Sequence, residues 1–240
     1  MGPEAKRSEL IYEGKAKKLY KTDDPNLLVQ EFKDDATAFG ATKHGIINQK
    51  GVINNRISEI VFKLLESKGV ATHFVQRLSP REMLIKKVKV IPLEITIRNI
   101  VAGGMAKLLG LEEGLILKEP VLEYHYKEDN LHDPMINEYH IKALGLANTA
   151  DLKVINSVSF QINNILKSFF DRKHLILVDF KLEFGKHKGK ILLGDEVSPD
   201  TCRLWDKTTK EKLDKDRFRM DLGGVEDAYH EVLRRLEVGN

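Results

Sequence analysis

Residues 175–195 place the tightest limit on what this chain can fold into. Residues 175–184 and 190–195 are apolar-rich runs separated by Lys186-His187-Lys188-Gly189, the pattern of a β-hairpin closed over a glycine-containing turn. Within Asp179-Phe180-Lys181-Leu182-Glu183, charged residues alternate with apolar ones. Successive side chains in a strand point to opposite faces, so Asp179, Lys181 and Glu183 share one face and Phe180 and Leu182 take the other. With the turn centred near Gly189, Glu183 and Asp195 are predicted to stand roughly opposite each other across the ladder. Facing carboxylates repel unless a proton or a cation lies between them. Magnesium answers that pattern, because it takes oxygen ligands from one or two carboxylates together with substrate phosphates. A solvent-facing strand with a Lys181 salt bridge answers it too.

The remaining segments supply strands and helices without regular alternation, which favours α+β over a doubly wound sheet. Residues 11–20 read as two strands about a tight turn at Gly14, and 27–32 as a strand after the turn residues Asp23-Asp24-Pro25-Asn26. Ile57, Ile60, Val61, Leu64 and Leu65 have helical spacing and predict a helix over 55–68, stopped by Gly69. Residues 72–76 and 82–90 read as strands around Ser79-Pro80. After Ile91-Pro92, a strand over 93–98 is expected to open a second lobe, which divides the chain into 1–90 and 91–240. Helices are predicted over 102–109, 149–172 and 225–236. The second of these turns Leu152, Ile155, Val158, Ile162, Ile165, Leu166 and Phe169 inward. Residues 119–139 carry mostly turn and loop signals, a length that suggests a loop lining a site.

Composition excludes several classes. The 240 residues are 42% hydrophobic and 31% charged, an ordinary balance for a folded soluble chain. No run approaches the roughly 18–20 apolar residues of a membrane helix, and residues 1–9 lack the apolar core of a secretory signal. The single cysteine, Cys202, has no partner for an internal disulfide, which points to a reducing compartment and a cytoplasmic location. The net charge of +3 arises from 39 basic and 36 acidic side chains that are interspersed, so neither nucleic acid nor a membrane surface is an expected partner. A homodimer through residues 225–236 or through an exposed strand edge stays open, and either segment could equally be core.

Three further constellations carry chemistry. In Tyr12-Glu13-Gly14-Lys15-Ala16-Lys17, a glycine turn lets backbone amides approach phosphate, and Lys15 and Lys17 project from one face as point charges. An exposed basic strand fits the same residues. In Leu93-Glu94-Ile95-Thr96-Ile97-Arg98, Glu94, Thr96 and Arg98 share a face, and Gly103-Gly104 follow at the start of a predicted helix. Arg98 is suited to a bidentate grip on phosphate or carboxylate. An edge strand with a polar outer face fits as well. Ser198-Pro199-Asp200 and Arg203 crowd polar groups directly after Asp195, and His132-Asp133-Pro134 is a bend with functional side chains.

Taken in order, Gly-Lys-Ala-Lys, Pro-Leu-Glu, His-Asp-Pro-Met, Asp-Phe-Lys-Leu-Glu-Phe-Gly, Gly-Asp-Glu, Ser-Pro-Asp, Leu-Trp-Asp-Lys and Asp-Lys-Asp-Arg-Phe-Arg closely resemble the SAICAR synthetase family, from about Tyr12 to Leu236. The resemblance implies a smaller antiparallel-sheet lobe and a larger α+β lobe with ATP in the cleft between them. It implies a ligase of purine biosynthesis that joins 5-aminoimidazole-4-carboxyribonucleotide (CAIR) to L-aspartate with ATP and magnesium. Gly14, Lys15, Ala16 and Lys17 would meet the ATP phosphates, and Lys86, Lys87, Val88 and Val90 the adenine. Glu183 and Asp195 would hold magnesium beside the nucleotide. Arg98 and Arg203, with Gly103 and Gly104, would grip the ribonucleotide phosphate, and Glu94 and Asp179 would lie near its imidazole. Asp200 and the segment from Lys215 to Arg219 would line the substrate side, with His132 and Asp133 bordering the aspartate site. Lys15, Lys17, Asp179 and Lys181 would be the catalytic set.

Two positions depart from the family pattern. Gly104 stands where a serine is usual, which removes a hydroxyl donor, and Thr201-Cys202 replaces a more usual Gly-Ser beside Arg203. A kinase-like phosphotransferase is the alternative, but the chain has no His-Arg-Asp catalytic loop.

Overall fold

The computed structural model of the chain describes residues 5–38 and 42–238. It opens with β1 (Arg7–Glu13), β2 (Lys17–Thr22) and β3 (Leu27–Phe32), followed by a ribbon of β4 (Asp35–Ala38) and β5 (Lys43–Ile46). Helix α1 (Lys50–Ser67) comes next, then β6 (Phe74–Arg77) and β7 (Glu82–Lys86), and the first sheet has the antiparallel order β1-β2-β3-β7-β6. α1 starts earlier than its apolar spacing predicts, because its first turns are built from buried polar residues, Lys50, Asn54 and Asn55.

The second sheet begins at β8 (Lys89–Ile100) and continues after α2 (Gly103–Leu109) with β9 (Ile116–Tyr126) and β10 (Met135–Ile136). Helices α3 (Glu138–Ala143) and α4 (Thr149–Arg172) lead to β11 (Leu175–His187), β12 (Lys190–Leu193) and β13 (Cys202–Asp206), and α5 (Asp216–Arg219) and α6 (Val225–Glu237) end the chain. The order is β10-β9-β8-β11-β12, with β13 also paired to β11. α4 covers one face, burying Leu152, Ile155, Ile162, Leu166 and Phe169, while Val158 and Ile165 are partly buried against the same core. Each such fully buried aliphatic or aromatic side chain contributes about 1.5–3 kcal/mol. The opposite face carries Asp179, Lys181 and Glu183, as the alternation requires. The two sheets are stitched where His73 N donates to Leu193 O at 2.8 Å and Leu193 N to Ala71 O at 3.0 Å.

Three expectations are corrected. The hairpin turn is two residues, Lys188 (φ 48°) and Gly189 (φ 80°), not four, because consecutive left-handed residues match the strand twist. β8 does not restart after Ile91-Pro92 but runs through it, and the break falls instead between Lys86 and Lys89. Pro92 is tolerated because the β8–β11 ladder bulges between its Val90–Gly185 and Glu94–Glu183 pairs, where no amide is needed. Residues 119–139 are not mainly loop. β9 pairs along β8, with Pro120 at the irregularity between the Arg98–Val121 and Ile100–Ile116 pairs. Of the two roles open to residues 225–236, the apolar face of α6 takes the core one, with Ala228, Tyr229, Val232 and Leu236 buried.

Candidate functional site

A cleft of about 770 Å³ runs between the sheets and is walled by the charged face of β8 and β11. At one end Gly14 closes the β1–β2 turn, its amide donating to Lys17 O at 2.8 Å, with the Tyr12 ring packed so closely that a Cβ on Gly14 would lie 2.9 Å from it. Lys15 is exposed at the cleft rim, and Ala16 lines the wall beside it. Lys17 turns inward and contacts Asp195 and, at 2.9 Å, Glu196. Burial opposes its charge, but Asp195 and Glu196 more than offset that and hold the ammonium well above the ordinary lysine range.

Apolar Leu19, Leu28, Ile85, Val88 and Val90 line this end together with Lys86, whose ammonium donates to Thr72 O at 3.0 Å. Lys87, expected among them, is turned away. Its amide donates to Asn26 O at 2.7 Å, in the turn before β3, and its carbonyl accepts from His187 Nδ1 at 2.8 Å, at the end of β11, so both backbone groups are already bonded within the protein.

The middle of the cleft is an ionic cluster centred on Lys181. Its ammonium reaches Glu94 at 2.7 Å, Glu183 at 2.8 Å and Asp195 at 3.9 Å. Lys127, from the end of β9, adds a second cation 2.9 Å from Glu183. Glu183 and Asp195 are not opposite each other as expected. β12 pairs Leu193 with Phe184, and the Gly194 amide donates to Glu183 O at 2.9 Å, so Gly194 stands across from Glu183. Asp195 then leaves the ladder in a left-handed conformation (φ 56°), which sends its carboxylate back into the cleft. Burial raises the Asp195 pKa, but Lys17 and Lys181 more than offset this and hold it well below the carboxylate range. Among the described residues no cluster of three or more His, Cys, Asp or Glu side chains could hold a metal.

The far end is built on guanidinium groups. Asp179 accepts from Arg98 Nη1 at 2.7 Å and Arg203 Nη1 at 2.9 Å, while Arg98 Nε reaches Glu123 at 2.8 Å and Arg203 Nε reaches Asp216 at 2.7 Å. Arg98 therefore does not present an unoccupied fork, since carboxylates hold its Nε and Nη1 edges. The remaining nitrogens point at α2: a Cβ on Gly103 would lie 2.4 Å from Arg203 Nη2, and one on Gly104 would lie 3.9 Å from Arg98 Nη2. Asp216 also holds Arg219 at 2.6 Å, and Arg219 and Lys215 face the cleft. Asp200 lies on the same wall. His132 (φ 59°) and Asp133 (φ 49°) form a left-handed bend at the cleft edge, where Asp133 Oδ1 accepts from the Glu128 amide at 2.9 Å.

Lys127, Glu196 and Glu123 escaped the sequence reading, and Asp216 was covered by it only as part of the 215–219 segment. Glu196 adjoins Asp195 and was the easiest to find. Glu123 lies on β9, whose strand pattern is hidden, Lys127 directly follows it, and Asp216 lies in a helix of one turn.

A sequence model described as SAICAR synthetase matches residues 10–236. The chain is 60% identical over 230 residues to a phosphoribosylaminoimidazole-succinocarboxamide synthase of Thermoanaerobacter sp. (strain X514), covering 96% of this chain and 98% of that one. It is similar to the crystal structure of such a synthase from Ehrlichia chaffeensis, at 45% identity and a TM-score of 0.94, covering 97% of this chain and 100% of that chain. It is also similar to a SAICAR synthetase solved in complex with ADP, at 50% identity and a TM-score of 0.92, covering 95% and 97% of the two chains.

Proposed function

The chain belongs to the SAICAR synthetase family, and from that premise we propose how its cleft performs the family reaction. It is an ATP-dependent ligase of purine biosynthesis that condenses CAIR with L-aspartate to give SAICAR, ADP and phosphate. A carboxylate resists amine attack at neutral pH because oxide would have to leave. In our reading the CAIR carboxylate oxygen attacks the γ-phosphorus of ATP and ADP departs, leaving an acyl phosphate. The aspartate amine then adds to the acyl carbon and phosphate leaves. Such a transfer depends on positioning and on charge around the phosphoryl group.

The single observation that carries this reading is the graded charge of the cleft. Lysines stand at the glycine turn, a lysine–carboxylate cluster in the middle, and paired guanidinium groups at the far end. We place the ATP phosphates at Gly14–Lys17, with the adenine against Leu19, Leu28, Val88 and Val90. The ribonucleotide phosphate goes to the Arg98–Arg203 end, beside Lys215 and Arg219, and aspartate near His132 and Asp133. Lys181, pressed between Glu94 and Glu183, would steady the reacting carboxylate. The boundary between an ATP-phosphate lobe (1–90) and a substrate lobe (91–240) then falls close to the break between β7 and β8. The buried lone cysteine suits work in a reducing cytoplasm.

Magnesium fits the donor set. Glu183 and Asp195 already share one cation, the Lys181 ammonium, and two carboxylates are the usual protein share of a magnesium shell completed by phosphate and water. Those two residues would hold the ion, which when bound neutralises phosphate charge.

A coupled assay for ADP tests the function. Sustained, multiple-turnover ADP release is expected only when CAIR and L-aspartate are both present with ATP. Comparable release with either one omitted contradicts the assignment.

A further inference from the structure

Behind the substrate end of the cleft, Asp200 is held by residues from two distant elements. Its Oδ2 accepts from Lys50 Nζ at 2.7 Å, at the start of α1, and its Oδ1 accepts from the Tyr229 hydroxyl at 2.6 Å, on α6. The ion pair is almost sealed, with the Lys50 and Asp200 side chains 1% and 4% exposed, and Tyr229 is fully buried. Removing two charges from water is costly, and apolar residues of similar volume would hold these elements together at least as well. What apolar packing does not supply is a fixed direction for a carboxylate.

The segment that carries Asp200 is anchored along its length. Ser58, eight residues after Lys50 on α1, donates to Val197 O at 3.3 Å. Ser198 Oγ donates to Glu196 at 2.6 Å and accepts from the Asp200 amide at 3.1 Å. Glu196 in turn is 2.9 Å from Lys17 at the glycine turn. One hydrogen-bonded segment thus runs from the nucleotide end of the cleft to Asp200, and Lys50 and Tyr229 fix its far end.

We propose that Lys50 and Tyr229 are positioning residues for the ligase reaction, which act by fixing the Asp200 carboxylate on the ribonucleotide side of the cleft beside Lys215. Neither touches a substrate; both act through Asp200. This rests on the reading above that Asp200 belongs to the substrate wall. Lys215 and Lys50 support it by keeping the Asp200 carboxyl ionised against the raising effect of burial.

The test is steady-state kinetics on the full enzyme with Tyr229→Phe, Lys50→Met, Lys50→Arg and Asp200→Asn. Tyr229→Phe deletes one hydroxyl and keeps the ring that packs α6. It is expected to raise KM for CAIR about tenfold, as loss of a hydrogen bond to a charged group does, and to leave KM for ATP within about twofold. Lys50→Met should lose more, and Lys50→Arg should recover part of that loss. In the Asp200→Asn background, Tyr229→Phe should add almost nothing, because residues acting through one group are not additive. A lowered melting temperature with unchanged KM for CAIR, or a Tyr229→Phe penalty that persists in full beside Asp200→Asn, overturns the proposal alone. Wild-type kinetics in Asp200→Asn itself overturns the placement of Asp200 on the substrate wall, and the proposal with it.

Discussion

Gly103 and Gly104 are neighbours with opposite constraints. Gly103 has φ 54°, and any Cβ there would lie 2.4 Å from Arg203 Nη2, so an alanine must both strain the backbone and displace the guanidinium. Gly104 carries no such strain, and a Cβ there would meet its nearest neighbour, Arg98 Nη2, at 3.9 Å, an ordinary contact. Gly103→Ala is therefore expected to lower kcat/KM for CAIR by about tenfold or more, since a displaced Arg203 also leaves Asp179 and Asp216 poorly paired. Gly104→Ser adds a hydroxyl in space that accepts it, and should lower KM for CAIR by a few fold, on the order of one added neutral hydrogen bond. Steady-state kinetics with CAIR varied at saturating ATP and aspartate measures both. Equal losses in the two variants would mean that the guanidinium cradle is misplaced.

At the scale of elements, the β11–β12 hairpin rests on a turn whose two residues are both left-handed. Gly189→Ala puts a Cβ at φ 80° and should cost about 1–2 kcal/mol, while Lys188→Asn, which favours this turn type, should add roughly 0.5 kcal/mol. Thermal unfolding followed by circular dichroism measures both, with kcat unchanged because the turn lies away from the cleft cluster; melting temperatures that do not move in opposite directions would contradict the turn assignment. This hairpin was legible because two apolar-rich runs flank a glycine-containing turn and charged and apolar residues alternate from Asp179 to Glu183. β9 was not, since Pro120 breaks its pattern and Glu123 is drawn into the protein by Arg98, a partner 25 residues away. β13 is only five residues long. The alternation also told which face would hold Asp179, Lys181 and Glu183. It did not tell that Lys17 would close on Asp195, or Lys50 on Asp200, across 178 and 150 residues. No local spacing encodes such pairs, and a one-residue difference in register moved Asp195 from the ladder into a left-handed bend.

For the whole molecule, acid stability reports how tightly the junction between the two sheets is sealed. His73 sits in that junction, 2% exposed, with its ring 5.3 Å from Phe62 and its amide bonded to Leu193. Burial pushes its imidazole down to about 3. The unfolded chain takes up a proton at this residue below about pH 6.5, while the folded protein does not, so the unfolded state binds more protons and stability falls as pH falls. Between about pH 6 and 4.5 the wild type should lose up to about 1.4 kcal/mol per pH unit through this residue, and His73→Gln should flatten that slope. Denaturant unfolding across this range measures it. Equal slopes in both proteins would mean that His73 is protonated in the folded state.

The same junction encloses the cleft whose chemistry is the central claim, and the fate of one oxygen atom tests it. CAIR labelled with oxygen-18 in its carboxylate is to be turned over with ATP and L-aspartate, and the released phosphate analysed by mass spectrometry. If the carboxylate oxygen attacks the γ-phosphorus, each phosphate carries one labelled oxygen. Phosphate free of label, with SAICAR formed at the same rate, would contradict activation of the carboxylate by ATP.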